Sequence, residues 1–153
     1  MGTRAVVPAR VSLTILAAGA VLLLPALPRE SHLTGQMYPE VSHLVIPYAV
    51  AADLTVLSGL VVLLALWRLL ALAAGDRAFT SASLTWLHVL RLAIALMAAF
   101  PVIVALHLLV VVSLGGPGVV LALGAGVAGG AAGFFVVTVM REVVRAEVVA
   151  RRP

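Results

Sequence analysis

The sequence contains no cysteine and no lysine, and charged residues make up only 10% of its 153 positions. Without cysteine there is no disulfide framework, no thiolate metal site and no cysteine nucleophile. A soluble domain has about a quarter of its residues charged and about half apolar, whereas this chain is 63% apolar. Because so few charges could not cover the water-facing surface of a soluble protein, we expect the apolar excess to face lipid.

Long apolar runs predict an all-α, polytopic membrane protein: one membrane domain over residues 1–153, with four transmembrane helices in an up-down bundle. A helix needs about 20 apolar residues to cross the hydrocarbon core. The predicted spans are residues 11–27, 44–72, 87–114 and 119–140. The predicted connections are an external loop at 28–43, a cytoplasmic elbow at 73–86 and a cytoplasmic tail at 141–153.

The first apolar run has a second interpretation. It follows Arg4 and Arg10 and ends at Pro25 and Pro28, as the apolar part of a secretory signal peptide would. The residues around Pro25 lack a small-x-small cleavage site, so a retained span is favoured and a cleaved signal peptide is the alternative.

Arginine placement predicts the orientation. Cytoplasmic loops of membrane proteins carry an excess of basic residues, and nine of the ten arginines fall on one side of a four-span chain, with only Arg29 on the other. We therefore expect a bacterial cell-membrane protein with both termini and the elbow in the cytoplasm. The nine arginines on the predicted cytoplasmic side are Arg4, Arg10, Arg68, Arg77, Arg91, Arg141, Arg145, Arg151 and Arg152. The use of arginine alone as the basic residue, beside abundant Ala, Val, Leu and Gly, suggests a high-GC bacterial source.

The elbow is the longest interruption between two apolar runs. Gly75 is the expected left-handed stop of the second helix, and Thr80 or Ser81 is the expected N-cap of a short amphipathic lead-in to the third. The elbow motif consists of Gly75, Asp76, Arg77, Phe79, Thr80 and Ser81.

The elbow with its approach, WRLL followed by Gly75 and DRAFTSASLTWLHVLR, resembles the bacterial membrane-protein family catalogued as domain of unknown function 2975. Members typically read Phe-Ser where this chain has Phe79-Thr80, and threonine keeps the capping oxygen. The segments YPEVSHLVIPY and VMREVVRAEV resemble the family's second-span entry and tail, although the ending ARRP departs from many relatives. The family carries no established chemistry. Some relatives are encoded beside small helix-turn-helix regulators, so the resemblance implies such a regulator as a candidate cytoplasmic partner.

Asp53 and His107 form the candidate intramembrane polar pair. The predicted boundaries place them at similar depths, about 13 Å and about 10 Å from the outer ends of their spans. A charge at such depth costs a few kcal/mol, so a partner is expected. The pair would relay protons or bind a cation. The alternative, which is favoured, is that Asp53 is protonated or hydrogen-bonded to Thr55, Ser58 or a backbone carbonyl of its own helix.

Glycines in the fourth run predict close helix packing, because small residues four apart let another helix approach in lipid. The predicted packing residues are Gly126, Gly129, Gly130 and Gly133. Gly124 begins a G-x-G-x-x-G pattern here, but a dinucleotide site needs a preceding strand and a βαβ unit. A membrane helix provides neither, so no nucleotide cofactor is predicted.

Four polar residues of the predicted external loop are weak candidate metal ligands, since histidine and carboxylate oxygens bind divalent metals. Their spacing matches no compact motif, and neither a metal nor another cofactor is predicted. These residues are Glu30, His32, Glu40 and His43.

Three functions are compatible with this pattern. The first is a regulatory or partner-binding membrane protein that presents its arginine-rich elbow and tail to the cytoplasm. Its candidate partners are the lipid bilayer, a helix-turn-helix regulator or other protein, and a second copy of the chain, with no direct nucleic-acid binding. The second is a transporter or proton-coupled subunit centred on Asp53 and His107. The third is an intramembrane enzyme. A non-enzyme is preferred, because no nucleophile–base set and no second buried acid occurs.

Overall fold

The computed structural model describes residues 3–37, 42–75, 79–113 and 116–150, with side chains from residue 7 onward except 27, 28 and 30–37. Within these ranges there are four α-helices and no strand. They are α1 (Thr3–Met37), α2 (Ser42–Ala74), α3 (Ser81–Val110) and α4 (Pro117–Ala150). Each contains a stretch long and apolar enough to cross a membrane. The all-α class with four membrane-length helices is confirmed, and it indicates a multi-pass membrane protein.

The helices pack in the order of the chain. In the part of the chain that the structure describes, α1 contacts α2, α2 contacts α3 and α3 contacts α4, and no other pair of helices touches. Consecutive helices run in opposite directions. Arg10 near the start of α1 lies against Trp67 near the end of α2, and Tyr48 near the start of α2 bonds His107 near the end of α3. Along α4, Gly126, Gly130 and Gly133 lie against successively earlier residues of α3. The up-down helices therefore form an open row, with α1 and α4 at its edges.

A small core joins the three later helices. Ala65 of α2, Leu87 and Leu90 of α3 and Val137 of α4 are buried together. Many large apolar side chains along the row, such as Ile46, remain exposed. In water such exposure would be costly at about 25 cal/mol per Å², whereas in a bilayer these surfaces contact lipid tails.

The first helix differs from its prediction. The apolar stretch of α1 is Val7–Ala26, but the helix continues through Pro25 and Pro28 to Met37. The predicted loop at 28–43 is therefore wrong for residues 28–37. A proline removes one N–H and crowds the preceding turn, but the other backbone groups can keep the helical pattern, often with a kink at the proline.

The elbow is shorter than predicted. The third helix begins at Ser81 without a separate lead-in, and it ends at Val110 rather than 114. The predicted left-handed stop at Gly75 is wrong, because no glycine in the described ranges has a positive φ. Instead the Gly75 N–H donates to the Ala71 carbonyl, 3.2 Å away, as in a helical turn.

The fourth helix is a single rod. Pro117 occupies its first position, where a missing N–H costs least. The helix continues without a break through the predicted span, 119–140, and through the described part of the tail to Ala150. Its 34 residues correspond to about 51 Å at 1.5 Å per residue, well beyond the hydrocarbon thickness of about 30 Å.

Candidate functional site

One end of the row collects arginines from all four helices, and we name it the arginine end. It comprises Arg10, Arg68, Arg91, Arg141 and Arg145. Three of these guanidinium groups lie over an aromatic ring of the next helix, one at each helix–helix interface. The distances from Cζ to the ring centroid are 5.8 Å for Arg10 over Trp67, 5.7 Å for Arg68 over Trp86 and 5.4 Å for Arg91 over Phe134.

These three contacts link each helix to the next one at the arginine end. A cation over an aromatic face contributes about 0.5–1 kcal/mol at an exposed site and more when desolvated. Long arginine side chains can also extend along apolar surface while their charged groups reach the membrane surface. The sequence analysis used Arg68 only as one of the nine arginines that predict the orientation. It missed the pairing, because the partner aromatics lie on other helices and only the packing register brings them together.

The last turns of α4 carry the remaining described charges of this end. Glu142 lies between two arginines, with N–O distances of 3.8 Å to both Arg141 and Arg145. These distances exceed hydrogen-bond length, so the contacts are loose ion pairs. The Nε atom of Arg141 is buried and has no hydrogen-bond partner in the described structure. On α3, Arg91 approaches Nδ1 of His88 at 3.4 Å.

A groove runs between α3 and α4 toward the arginine end. Its volume is about 660 Å³, and its walls are almost entirely apolar. The α3 wall is formed by alanines and Val102, and the α4 wall by small residues followed by Phe134, Phe135 and Thr138. Thr138 donates its hydroxyl to the Phe134 carbonyl of its own helix at 2.8 Å, so the wall offers little unsatisfied polarity.

Three of the four predicted packing glycines lie against α3. A Cβ on Gly130 would overlap the Cβ of Ala98. Cβ atoms on Gly126 and Gly133 would each lie 3.2 Å from a branched side chain of α3. In the described residues, no atom of another helix lies within 4 Å of such a Cβ on Gly129, so this glycine belongs to the open side of α4. Both members of the i, i+4 pair Gly126 and Gly130 therefore pack against α3. In the pair Gly129 and Gly133, only Gly133 does.

At the opposite end, which we name the far end, His107 has a partner that the sequence did not suggest. The Tyr48 hydroxyl and His107 Nδ1 share a hydrogen bond of 2.8 Å, and the rings meet edge to face with centroids 5.9 Å apart. No hydrogen bond joins His107 to Asp53 in the described residues. Asp53 Oδ1 is buried without a hydrogen-bond partner.

The depth match between Asp53 and His107 failed because a helix boundary was misplaced. With α3 ending at Val110, His107 lies in the last turn instead of two turns deep. Tyr48 lies five residues before Asp53, or about 7.5 Å nearer the far end along α2. The hydrogen bonds from Thr55 and Ser58 to Asp53 that the favoured alternative names are not seen either, since these hydroxyls donate to the Ala51 and Leu54 carbonyls.

Comparison with known families places the chain. Residues 32–148, well over half of its length, match the family described as "Protein of unknown function (DUF2975)". The chain belongs to this family. No curated protein and no solved structure matches it. The resemblance drawn from the elbow is thereby confirmed.

The elbow motif of this DUF2975 protein is only partly described. Asp76 and Arg77 lie outside the described residues. Thr80 is the N-cap of α3, as predicted, but its side chain makes no capping hydrogen bond. Its hydroxyl lies 3.3 Å from that of buried Ser83. Ser81 is the first residue of α3, and Phe79 is exposed. The motif thus shapes the start of α3 and brings no catalytic group together in its described part.

The weak metal candidates are described only in part. Glu30 and His32 lie on the helical backbone of α1 with side chains that are not described, Glu40 lies outside the described residues, and His43 is the second residue of α2. Among the residues that the structure describes, no three His, Asp or Glu side chains could hold one metal ion.

Proposed function

We propose that this DUF2975 protein is a regulatory or partner-binding protein of the bacterial cell membrane, whose protein partner binds the arginine end in the cytoplasm. The observation that carries the proposal is the length of α4. Its helix, about 51 Å long, extends beyond the hydrocarbon core and carries Arg141, Glu142, Arg145 and Glu147 in its last three turns. A membrane anchor alone would not need this charged helical extension.

The surroundings of the extension favour protein binding. Val144 packs beside the core formed by Leu87, Leu90 and Val137, so the base of the extension is held on α3. Beyond Val144, Arg145 and Ala146 are exposed. A fixed helix with exposed charges loses little conformational entropy when a partner binds, which favours affinity. A partner with an acidic surface would complement the excess of arginine.

The distribution of polar groups supports this function over transport. Two grooves of the described structure, one between α3 and α4 and one between α2 and α3 beside Tyr48, are lined mainly by apolar side chains. A transporter normally lines its pathway with polar groups at the midplane. A proton-coupled role is a second candidate, and the buried, unpartnered Asp53 Oδ1 is the observation that favours it.

Site-specific photo-crosslinking tests the proposal. A photoreactive amino acid replaces Ala146 at the arginine end or, as the control, Leu121 at the far end of the same helix. Both positions are exposed. In native membranes we expect Ala146 to yield a discrete adduct with another protein, and Leu121 to yield none of the same mass. The adduct should disappear in Arg145→Glu and persist in Arg29→Glu.

Identical adducts from Ala146 and Leu121, or an adduct insensitive to Arg145→Glu, would contradict partner binding at this end. The second candidate is tested separately in proteoliposomes. There, Asp53→Asn should abolish any proton flux that the wild-type protein supports, and an absence of flux in wild type would rule out this role.

A further inference from the structure

We propose that the arginine end of the α3–α4 groove binds an anionic phospholipid, with one acyl chain in the groove and the headgroup phosphate at Arg91 and Arg141. This site is separate from the exposed extension beyond Val144 on which the proposed protein partner depends. The geometry of the groove and the charges at its mouth support this site.

The groove and the arginines lie on the same helix faces. Arg91 lies one turn before the groove residue Ala95, and its guanidinium is 5.4 Å from the ring of Phe134, which lines the α4 wall. Arg141 lies three residues after the groove residue Thr138, and residues three apart are neighbours on a helix surface. The apolar groove therefore ends at two guanidinium groups.

The dimensions fit a lipid tail within one leaflet. The α4 wall extends from Gly126 to Thr138, which is about 18 Å along the helix. This length is close to the thickness of one leaflet, which is half of a hydrocarbon core of about 30 Å. The walls are alanine, glycine, valine and phenylalanine with a single hydroxyl that is already bonded within α4. An acyl chain needs no hydrogen-bond partners and can fill such an apolar groove, whereas a polar solute would lose its hydrogen bonds to water there.

The charges at the mouth select an anion. Arg91 and Arg141 contribute two positive charges and Glu142 one negative charge, and the ion pair between Glu142 and Arg141 is long, at 3.8 Å. His88 adds a ring nitrogen 3.4 Å from Arg91. The Arg141 side chain is 30% exposed, and arginine bonds phosphate oxygens through paired N–H groups. Basic pockets between membrane helices bind anionic headgroups for this reason.

Lipid retention by the purified full-length protein tests the site. The delipidated protein in neutral detergent is titrated with phosphatidylglycerol, with phosphatidylcholine of the same acyl chains, and with glycerol phosphate, and binding is read by native mass spectrometry. We expect phosphatidylglycerol to bind in preference to the other two. Arg91→Gln and Arg141→Gln should each weaken its binding about five-fold, the effect of one basic residue near an anionic headgroup.

Matched variants separate the groove from general charge. Ala131→Leu narrows the groove and should lower retention of phosphatidylglycerol, whereas Ala132→Leu, on the adjacent exposed residue outside the groove lining, should not. Arg10→Gln removes an arginine of the same end that lies over Trp67, away from the groove, and should leave retention unchanged. Thermal unfolding in lipid-free detergent checks that each variant is folded.

Four results would overturn the proposal. Equal retention of phosphatidylglycerol and phosphatidylcholine would remove the charge selection. An equal loss in Arg10→Gln and Arg141→Gln would indicate only a diffuse basic surface. Saturation by glycerol phosphate alone would indicate an anion site without an acyl chain. A dimer crosslinked through Phe135, formed without retained lipid, would assign the groove to a second copy of the chain instead.

Discussion

The two ends of the helix row are stabilised in different ways. At the arginine end, each interface has an arginine over an aromatic ring, and the buried core of Ala65, Leu87, Leu90 and Val137 lies nearby. At the far end, one hydrogen bond between Tyr48 and His107 joins α2 to α3, and deeper along α2 Asp53 Oδ1 is unsatisfied. The difference indicates that packing holds the charged side chains of the arginine end in place.

The largest effect is expected where α3 and α4 are closest. Gly130→Leu would place a side chain into Ala98 and should cost about 1–3 kcal/mol through overpacking, which lowers the midpoint of thermal unfolding in detergent. Gly129→Leu is the matched control, because nothing lies within 4 Å of its Cβ position. Equal midpoints for the two variants would show that the glycine face does not pack on α3.

The far end should respond to loss of its hydrogen bond. Tyr48→Phe removes the hydroxyl that pairs with His107 Nδ1 at 2.8 Å and should cost about 0.6 kcal/mol, and at most about 1.7 kcal/mol, as for hydrogen bonds between membrane helices. In a His107→Phe background the same substitution should have no further effect. A full additional loss in that background would show that the two side chains do not interact.

A smaller effect is expected from the aromatic partners of the arginine end. Phe134→Leu removes the ring beneath Arg91 and should cost about 0.5–1 kcal/mol beyond the change in apolar area. The neighbouring Phe135 is 68% exposed and has no arginine over its ring in the described structure, so Phe135→Leu is the control. Equal shifts of the unfolding midpoint in the two variants would show that the contact between Arg91 and Phe134 makes no specific contribution to stability.

The smallest effect concerns the pair predicted from sequence. A double-mutant cycle on Asp53→Asn and His107→Gln should show additive changes, because His107 bonds Tyr48 and not Asp53 in this structure. Coupling of about 1 kcal/mol, the size expected for a direct hydrogen bond, would restore the pair and would require a conformation different from the one described.

The fold could be predicted from sequence more completely than the contacts. Hydropathy alone indicates four spans, since only helices and closed barrels satisfy the backbone in lipid. Helix ends were harder, because α1 passes two prolines and α3 ends four residues early. An error of one turn was enough to match Asp53 instead of Tyr48 with His107. The arginine–aromatic contacts depend on which residues lie side by side in antiparallel helices, and no local pattern in the sequence determines that register.

The orientation of the arginine end is the central claim, and the absence of cysteine allows it to be measured directly. Single cysteines replace Ala146 at the arginine end or Gly116 at the far end, and intact cells are treated with a membrane-impermeant maleimide. We expect Gly116→Cys to be labelled in intact cells and Ala146→Cys only after permeabilisation, because arginine-rich segments remain in the cytoplasm. Labelling of Ala146→Cys in intact cells would place the arginine end outside and contradict the proposed cytoplasmic partner surface.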